Sequence, residues 1–272
     1  MHQTTNDSRF ASIGTPRRIW AVSAIHSNAE KLTRIHDALH EHVRPGDRII
    51  YHGNYTGYND DAVHCIDEIL AFRRMVLSID GMMSSDIIYL KGQQEEMWQK
   101  LLQLQFAPDP SNVLLWMLGN GLAPTLASYG ISAHDGIDAC RSGVMALTKW
   151  TASIRNAIRN NPGHEAFGVH HSRAAYTHET SGYPMLFVHA GLNTKKPLGD
   201  QDDHFWWSSA RFNEISDAYL PFRKVVRGYD PARGGININC VTATIDGGCG
   251  FGGSLVCAGF NEGGEVIDML EY

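Results

Sequence analysis

Long hydrophobic runs are missing from this sequence. No apolar stretch approaches the roughly 20 residues needed to cross a bilayer, and residues 1–18 contain no apolar core of the signal-peptide kind. Cysteine is scarce, and no CxxC pair occurs among Cys65, Cys140, Cys240, Cys249 and Cys257. An odd number of scattered cysteines predicts reduced thiols and a cytoplasmic protein.

Positive charge is also in short supply. The 23 lysines and arginines are outnumbered by 29 aspartates and glutamates, which gives a formal net charge of −6. A mildly acidic chain has no electrostatic attraction for nucleic acids or anionic membranes. We therefore expect neither as a partner.

The composition is otherwise that of a globular protein with a substantial core. Hydrophobic residues make up 43% of the 272 residues, enough for one large α/β domain. Residues 1–16 are polar and end in a Gly-Thr-Pro turn, so we expect a flexible N-terminal tail there. The remainder, 17–272, is expected to be a single domain.

Apolar and amphipathic segments alternate along the first 106 residues. Strands are predicted at 18–23, 48–53 and 86–92, and helices at 28–42, 60–77 and 95–106. This alternation is typical of a parallel-rich sheet with helical crossovers.

The second half of the chain changes from helical to β-rich patterns. Residues 112–161 are predicted to be helical with a glycine-rich break at 119–121, and residues 160–182 to be a loop. Strands are predicted within 184–191, 222–229, 239–248 and 253–260.

Five polar turns follow predicted strands. They are SAIHSN (23–28), HGNYTGYND (52–60), KGQQEE (91–96), VHAGL (188–192) and RGYDP (227–231). Because residues just past the carboxyl ends of parallel strands line the ligand crevice of such sheets, these turns are the candidate site.

The five turns, in this order, resemble the GDxHG, GDxxDRG, GNHE, HAG and GHTP motifs of the calcineurin-like metallophosphoesterases. The likeness is to the branch of bacterial serine/threonine protein phosphatases and symmetrical diadenosine tetraphosphatases, and it covers roughly residues 17–260. It implies an α/β sandwich of two mixed β-sheets flanked by helices. It also implies metal-dependent hydrolysis of phosphate esters, in which two cations share a bridging water and are held by anionic oxygen ligands.

The metal-ligand positions of that family have mostly changed residue type in this chain. By the resemblance, the six positions fall on Ala24, His26, Asn54, Gln93, His189 and Tyr229. Only the two histidines keep the family's residue, and no carboxylate remains. We therefore expect no bound metal, no other cofactor and no catalytic residues at these vestigial positions.

The groups that would grip phosphate and protonate the leaving group have changed as well. Gly57 replaces a motif aspartate, Tyr58 a phosphate-binding arginine, and Gln94 the histidine general acid, while Ser209 stands near a further arginine position. The expected pocket consists of His52, Gly57, Tyr58, Lys91, Gln94, Ser209 and Arg227.

These losses predict a pseudophosphatase that acts by binding, as a scaffold or regulator, in the bacterial cytoplasm. One alternative is an active phosphoesterase or protein phosphatase with a single Zn, Mn or Fe ion at His26 and His189, assisted by His52 or Asn54. Another is a non-catalytic small-molecule sensor that uses Lys91, Arg227 and the pocket amides to bind a neutral or weakly charged ligand.

Two further features suggest metal sites and have simpler interpretations. Glu95, Asp230 and Asp246 lie near the predicted crevice, but Glu95 is expected to cap the helix after its turn, and Asp246 to brace the following glycines. The segment 164–178 carries four histidines, at a spacing that fits no zinc pattern. We predict a solvated loop there, as a lid or an oligomer contact.

Overall fold

Two mixed β-sheets form the centre of the computed structural model, which describes residues 9–207 and 212–272. Within these residues the larger sheet has the strand order β1 (Phe10–Ser12), β5 (Ala174–Tyr176), β6 (Met185–Val188), β7 (Lys224–Arg227), β9 (Thr242–Thr244) and β8 (Asn237–Ile238). The smaller sheet has the order β11 (Val266–Glu271), β10 (Val256–Asn261), β2 (Arg18–Val22), β3 (Arg48–Tyr51) and β4 (Ile87–Tyr89). Each sheet combines parallel and antiparallel pairs, which confirms the predicted α/β fold class.

The main core lies between the two sheets. In β2, Ile19 and Ala21 face this interior, where they meet Phe187 of the other sheet, while Trp20 and Val22 point to the opposite face. This division follows from the two-residue period of side chains along a strand. Both faces of β2 are thus buried, as its nearly continuous apolar sequence predicts.

Two helices cover the outer face of the smaller sheet. They are α1 (Ala29–His42), which connects β2 to β3, and α2 (Ala62–Leu77), which connects β3 to β4. The side chains of Leu32, Ile35 and Leu39 form the buried stripe of α1. Asn28 caps this helix by accepting a hydrogen bond from the Lys31 backbone N–H at 3.1 Å, as predicted.

A group of helices packs beside the sandwich around its own apolar cluster. These are α3 (Gln93–Leu101), α4 (Pro110–Met117), α5 (Ala123–Ser128), α6 (Ala133–Ser142) and α7 (Val144–Arg159). The predicted glycine-rich break is confirmed: residues 118–122 form a wide turn between α4 and α5, in which Gly121 has a φ of 97°.

The segment 160–182 is more ordered than its polar composition predicts. It contains the short helix α8 (His164–Val169) and the strand β5, so the loop prediction is wrong for these residues. His164 and Phe167, one helical turn apart, are the buried anchors of α8. A last short helix, α9 (His204–Trp207), ends the first of the two described ranges.

The N-terminal tail prediction is also wrong in part. Phe10–Ser12 pair in parallel with Ala174–Tyr176, and the Ile13 side chain is only 2% exposed. Two apolar residues in a polar segment suffice as anchors when a sheet edge is free to accept a strand. Residues 1–8 lie outside the described residues.

The structure adds two short or half-exposed strands that sequence patterns did not indicate, β8 and β11. None of the described helices has both the length and the apolar character required to span a membrane.

Candidate functional site

Three turns from the smaller sheet meet around Asn54. The backbone N–H of His26 donates to the Asn54 carbonyl oxygen at 2.7 Å, and the Gln94 N–H donates to Asn54 Oδ1 at 2.9 Å. Asn54 has a φ of 51°, and its buried side chain is held from both sides. The turns at 23–28, 52–60 and 91–96 therefore lie together, as the parallel order of β2, β3 and β4 requires.

Two turns from the larger sheet close the other side of the crevice. The backbone N–H groups of Gly228 and Tyr229 donate to the His189 carbonyl oxygen at 3.1 and 3.0 Å. The Ala24 N–H donates to the Gly228 carbonyl oxygen at 2.9 Å and so joins the two sheets. The structure thus brings together all six positions that the sequence resemblance assigned to metal ligands.

Three histidines in this crevice are buried and uncharged near neutral pH. Desolvation by burial lowers the pKa of His26 and of His189 to about 3, and that of His52 to about 4. For His26, the nearby His189 and the positive charge of Arg233 lower the pKa further. A buried imidazole avoids charge because the protein interior solvates an ion poorly.

The hydrogen bonds of these histidines define their tautomers. His189 Nδ1 donates to the His52 carbonyl oxygen, and His52 Nδ1 donates to the Val22 carbonyl oxygen at 3.0 Å. Each ring then carries a lone pair on Nε2, and neither Nε2 has a partner among the described residues. His26 Nε2 lies 3.4 Å from Asn54 Nδ2, where it accepts from the amide.

An apolar cluster fills the position of the first motif aspartate. Ala24 is fully buried and packs with Ala190, Tyr229 and Phe251. The Tyr229 ring stacks on His189 with a centroid distance of 5.1 Å. A methyl group and a phenol ring therefore occupy two of the six ligand positions.

Aromatic rings surround the remaining His26 side chain. Tyr58, Tyr229 and Phe251 have ring centroids 5.2, 5.4 and 5.7 Å from the imidazole. The guanidinium of Arg233 lies 3.5 Å from the Phe251 ring centroid. Sequence reasoning missed Phe251 and Arg233, because neither lies in one of the five motifs.

Gln94 occupies the space beside Gly57. Gly57 has a φ of 98°, and a Cβ atom built on it would lie 2.4 Å from Gln94 Cδ. The Gln94 amide is held in place by a hydrogen bond from Nε2 to the Asn120 carbonyl oxygen at 2.8 Å. A side chain at position 57 is therefore incompatible with the observed placement of Gln94.

The Glu95 carboxylate forms hydrogen bonds with backbone N–H groups instead of acting as a ligand in the crevice. Its carboxylate accepts from the N–H groups of Asn54, Tyr55 and Gly92 at 2.8–2.9 Å. The contact with Gly92 caps α3, which confirms the expected capping role. Burial raises the pKa of Glu95, while these backbone donors act in the opposite direction.

The other two acids brace the turn after β7. Asp246 accepts from the backbone N–H groups of Asp230 and Gly248, as its predicted role beside the glycines requires. Asp230 pairs with Arg227 at 3.2 Å and accepts from the Gly234 N–H at 3.0 Å. Each of these carboxylates therefore already accepts hydrogen bonds from backbone N–H groups.

The expected pocket cations have other partners. The Arg227 guanidinium is buried and donates to Thr244 Oγ1, besides its pairing with Asp230. The Lys91 ammonium contacts Glu96 and the Gln99 side chain, both on α3. Ser209 lies outside the described residues.

The donor set does not fit a pair of hard divalent cations. Among residues 9–207 and 212–272, no group of three or more His, Cys, Asp or Glu side chains could hold a metal ion. The family's ligand positions offer only uncharged donors, and Asn54 Oδ1 is already occupied by the Gln94 N–H. Hard dications need anionic oxygens to offset their loss of hydration.

Comparisons with known proteins agree with this architecture. No protein-family model matches the sequence, and no curated protein matches it. The chain is similar in structure to a candidate diadenosine tetraphosphatase, at 15% identity and a TM-score of 0.52 over 96% of this chain and 97% of that one. It is also similar to a serine/threonine protein phosphatase from Saccharomyces cerevisiae, at 10% identity and a TM-score of 0.50 over 97% of this chain and 81% of that one.

The chain shares the fold of these two phosphatases, which is the fold that the sequence resemblance implies. It is thus a protein with a phosphatase-like fold. At these identities the likeness concerns the fold alone.

Proposed function

We propose that this chain is a pseudophosphatase, a protein of phosphatase fold that acts by binding a protein partner or a second copy of itself and does not hydrolyse phosphate esters. One observation carries the proposal: the five turns converge as the fold requires, yet the ligand positions hold only neutral donors. Two dications a few ångströms apart repel each other strongly unless anionic ligands lie between them.

The residues at the general-acid and phosphate-binding positions do not support hydrolysis either. A glutamine at the general-acid position has no proton to transfer to a leaving group, since an amide does not titrate near neutral pH. Arg227, at the end of β7, pairs with Asp230 at 3.2 Å. These features support binding without turnover and without a cofactor.

A single-metal enzyme is the second candidate. The Nε2 lone pairs of His189 and His52 have no partner in the described part of the chain, so both imidazoles are free to bind a softer ion such as Zn²⁺. This alternative also requires His26 to give up its contact with Asn54.

Metal analysis combined with a chromogenic phosphate ester tests the proposal. We expect the purified chain, supplied with Mn²⁺, Zn²⁺ or Fe²⁺, to retain no stoichiometric metal and to hydrolyse p-nitrophenyl phosphate no faster than buffer. Stoichiometric metal together with turnover that is lost in His189→Ala would overturn the proposal in favour of the single-metal enzyme.

The double variant Ala24→Asp/Asn54→Asp tests the proposal through a gain of metal binding relative to the wild type. It returns two carboxylates to the motif positions, so we expect Mn²⁺ to raise its thermal unfolding midpoint, since a ligand that binds only the folded state stabilises it. The wild-type midpoint should not respond to Mn²⁺. A double variant that also fails to respond would show that the motif positions are assigned wrongly.

A further inference from the structure

A second cavity lies behind the turn that carries Asn54. It has a volume of about 50 Å³, and side chains from α2, α3, α5, α7 and α8 line it together with Tyr55. Because one water requires about 10–15 Å³ of such space, the cavity has room for roughly three to five water-sized groups. None of the six vestigial metal positions lines it.

Most of the cavity wall is aromatic or aliphatic. Tyr55, Ile66, Trp98, Ile158 and Phe167 provide this surface. Such walls favour a ligand with a compact apolar body, as do small-molecule pockets in general.

His171 presents two unsatisfied nitrogen atoms at this cavity. Both Nδ1 and Nε2 are shielded from solvent and have no hydrogen-bond partner among the described residues. The ring is held by stacking on Tyr55 at 5.2 Å and by an edge contact with Phe167 at 4.9 Å. A third buried polar atom on the wall, Thr125 Oγ1, likewise lacks a partner in the described ranges.

The imidazole of His171 is uncharged. Burial lowers the pKa of His171 to about 3, with help from the positive charge of Lys91. A neutral ring offers one N–H donor and one acceptor nitrogen. Leaving a polar atom unpaired in a protein interior is unfavourable, so a ligand that pairs with one of these nitrogens gains affinity.

Charged ligands suit this cavity poorly. An anion would approach the Glu95 carboxylate, which lies on the wall and already accepts three backbone N–H groups. A cation would find the Glu95 oxygens already occupied by these backbone donors.

We propose that this cavity binds a small uncharged molecule that has a compact apolar body and a hydrogen-bonding edge, such as an azole or a simple amide. One ring nitrogen of His171 would pair with that edge, and Thr125 would supply a further hydroxyl contact. The proposal does not depend on whether the phosphatase centre is active.

Pyrazole is the test probe, because it is a neutral azole with an N–H beside a bare nitrogen. We expect pyrazole to shift the ring resonances of His171 in histidine-labelled protein, with saturation at a Kd in the millimolar range, as small fragments show. A crystal soaked with pyrazole should show the ring stacked among Tyr55, Trp98 and Phe167.

Matched ligands and variants separate hydrogen bonding from apolar contact. Furan keeps the ring size but lacks the N–H, and should bind at least about tenfold more weakly. His171→Phe keeps the aromatic stack and should weaken pyrazole about tenfold, whereas His170→Phe, at the exposed neighbouring position, should leave it unchanged. Thr125→Val preserves shape and should weaken binding to a smaller extent, which serves as a second test if His171→Phe fails to fold.

Several results would overturn the proposal. They are the absence of a saturable shift, equal affinity for furan, pyrazole affinity unchanged in His171→Phe, and preference for methylammonium over pyrazole. A pyrazole-soaked crystal with only water in the cavity would also overturn the proposal.

Discussion

By the sequence resemblance Gly57 falls on a motif aspartate, and in the structure the Gln94 side chain fills the space beside it. A residue with a Cβ at position 57 would collide with Gln94. The residue types at these two positions are therefore matched to each other. Two substitutions at the residue scale test this reasoning.

Gly57→Ala should destabilise the protein by about 2–5 kcal/mol. Part of this is backbone strain at a φ of 98° and part is overpacking against Gln94. Gly130→Ala is the matched control, since Gly130 also has a positive φ, of 70°, but open space beside it. Urea denaturation of both variants measures the difference. Equal losses for the two would show that Gln94 does not confine position 57.

Ala24→Asp alone should cost about 3–5 kcal/mol, the penalty of an uncompensated buried charge. The new carboxylate would lie among Ala190, Tyr229 and Phe251. Ala127→Asp, on the exposed surface of α5, is the control and should change stability by less than about 1 kcal/mol. Chemical denaturation in the presence of a chelator measures both. A well-tolerated Ala24→Asp would mean that this position is better solvated than its burial indicates.

The turn at 52–60 and the start of α3 form one unit at the scale of secondary-structure elements. Glu95 joins them, because its carboxylate accepts hydrogen bonds from backbone N–H groups of the turn and of Gly92 at the start of α3. The rigid placement of Asn54 in the crevice and the wall of the second cavity both depend on this carboxylate.

Glu95→Gln should cost about 2–3 kcal/mol, because an amide cannot accept three backbone hydrogen bonds in the same way. Hydrogen exchange at Asn54 and Tyr55 should accelerate at the same time. Glu96→Gln is the control on the same helix, and loss of its partly exposed pairs with Lys91 and Lys100 should cost less than about 1 kcal/mol. Unchanged exchange in Glu95→Gln would contradict the bracing role.

Buried neutral histidines make the stability of the whole molecule depend on pH. The folded-state pKa of His26, His52, His171 and His189 lies at about 3 to 4, below the ordinary value of 6.5. At pH values between these two pKa values, the unfolded chain binds protons on its histidines and the folded chain does not. Each such histidine therefore removes stability as the pH falls from about 6.5 towards 4.

Denaturation midpoints measured across this window should fall steadily with acidification. Each imidazole contributes a slope of about 1.4 kcal/mol per pH unit once the unfolded chain is protonated. His171→Phe should reduce the total slope by about this amount, and His170→Phe should not. An unchanged slope in His171→Phe would mean that the His171 ring can take up a proton in the folded state.

The sequence predicted the fold correctly through the order of its turns. Each turn follows a strand, and parallel strands place their carboxyl ends at one edge, so motifs far apart in the chain had to converge. The same logic placed His26 and Asn54 together at the smaller sheet, whereas the family resemblance placed His189 opposite them. Pattern reasoning failed for β1 and α8, because short segments with few buried side chains leave no periodic pattern to detect.

The amino-acid sequence by itself determined the order of elements and the chemical type of each donor, because local periodicity and residue identity are properties of the chain. Only the tertiary structure decided what surrounds those donors. Arg233 over Phe251, Gln94 beside Gly57 and the cavity at His171 are contacts between distant segments. Such contacts arise when whole elements pack, so no single stretch of sequence contains them.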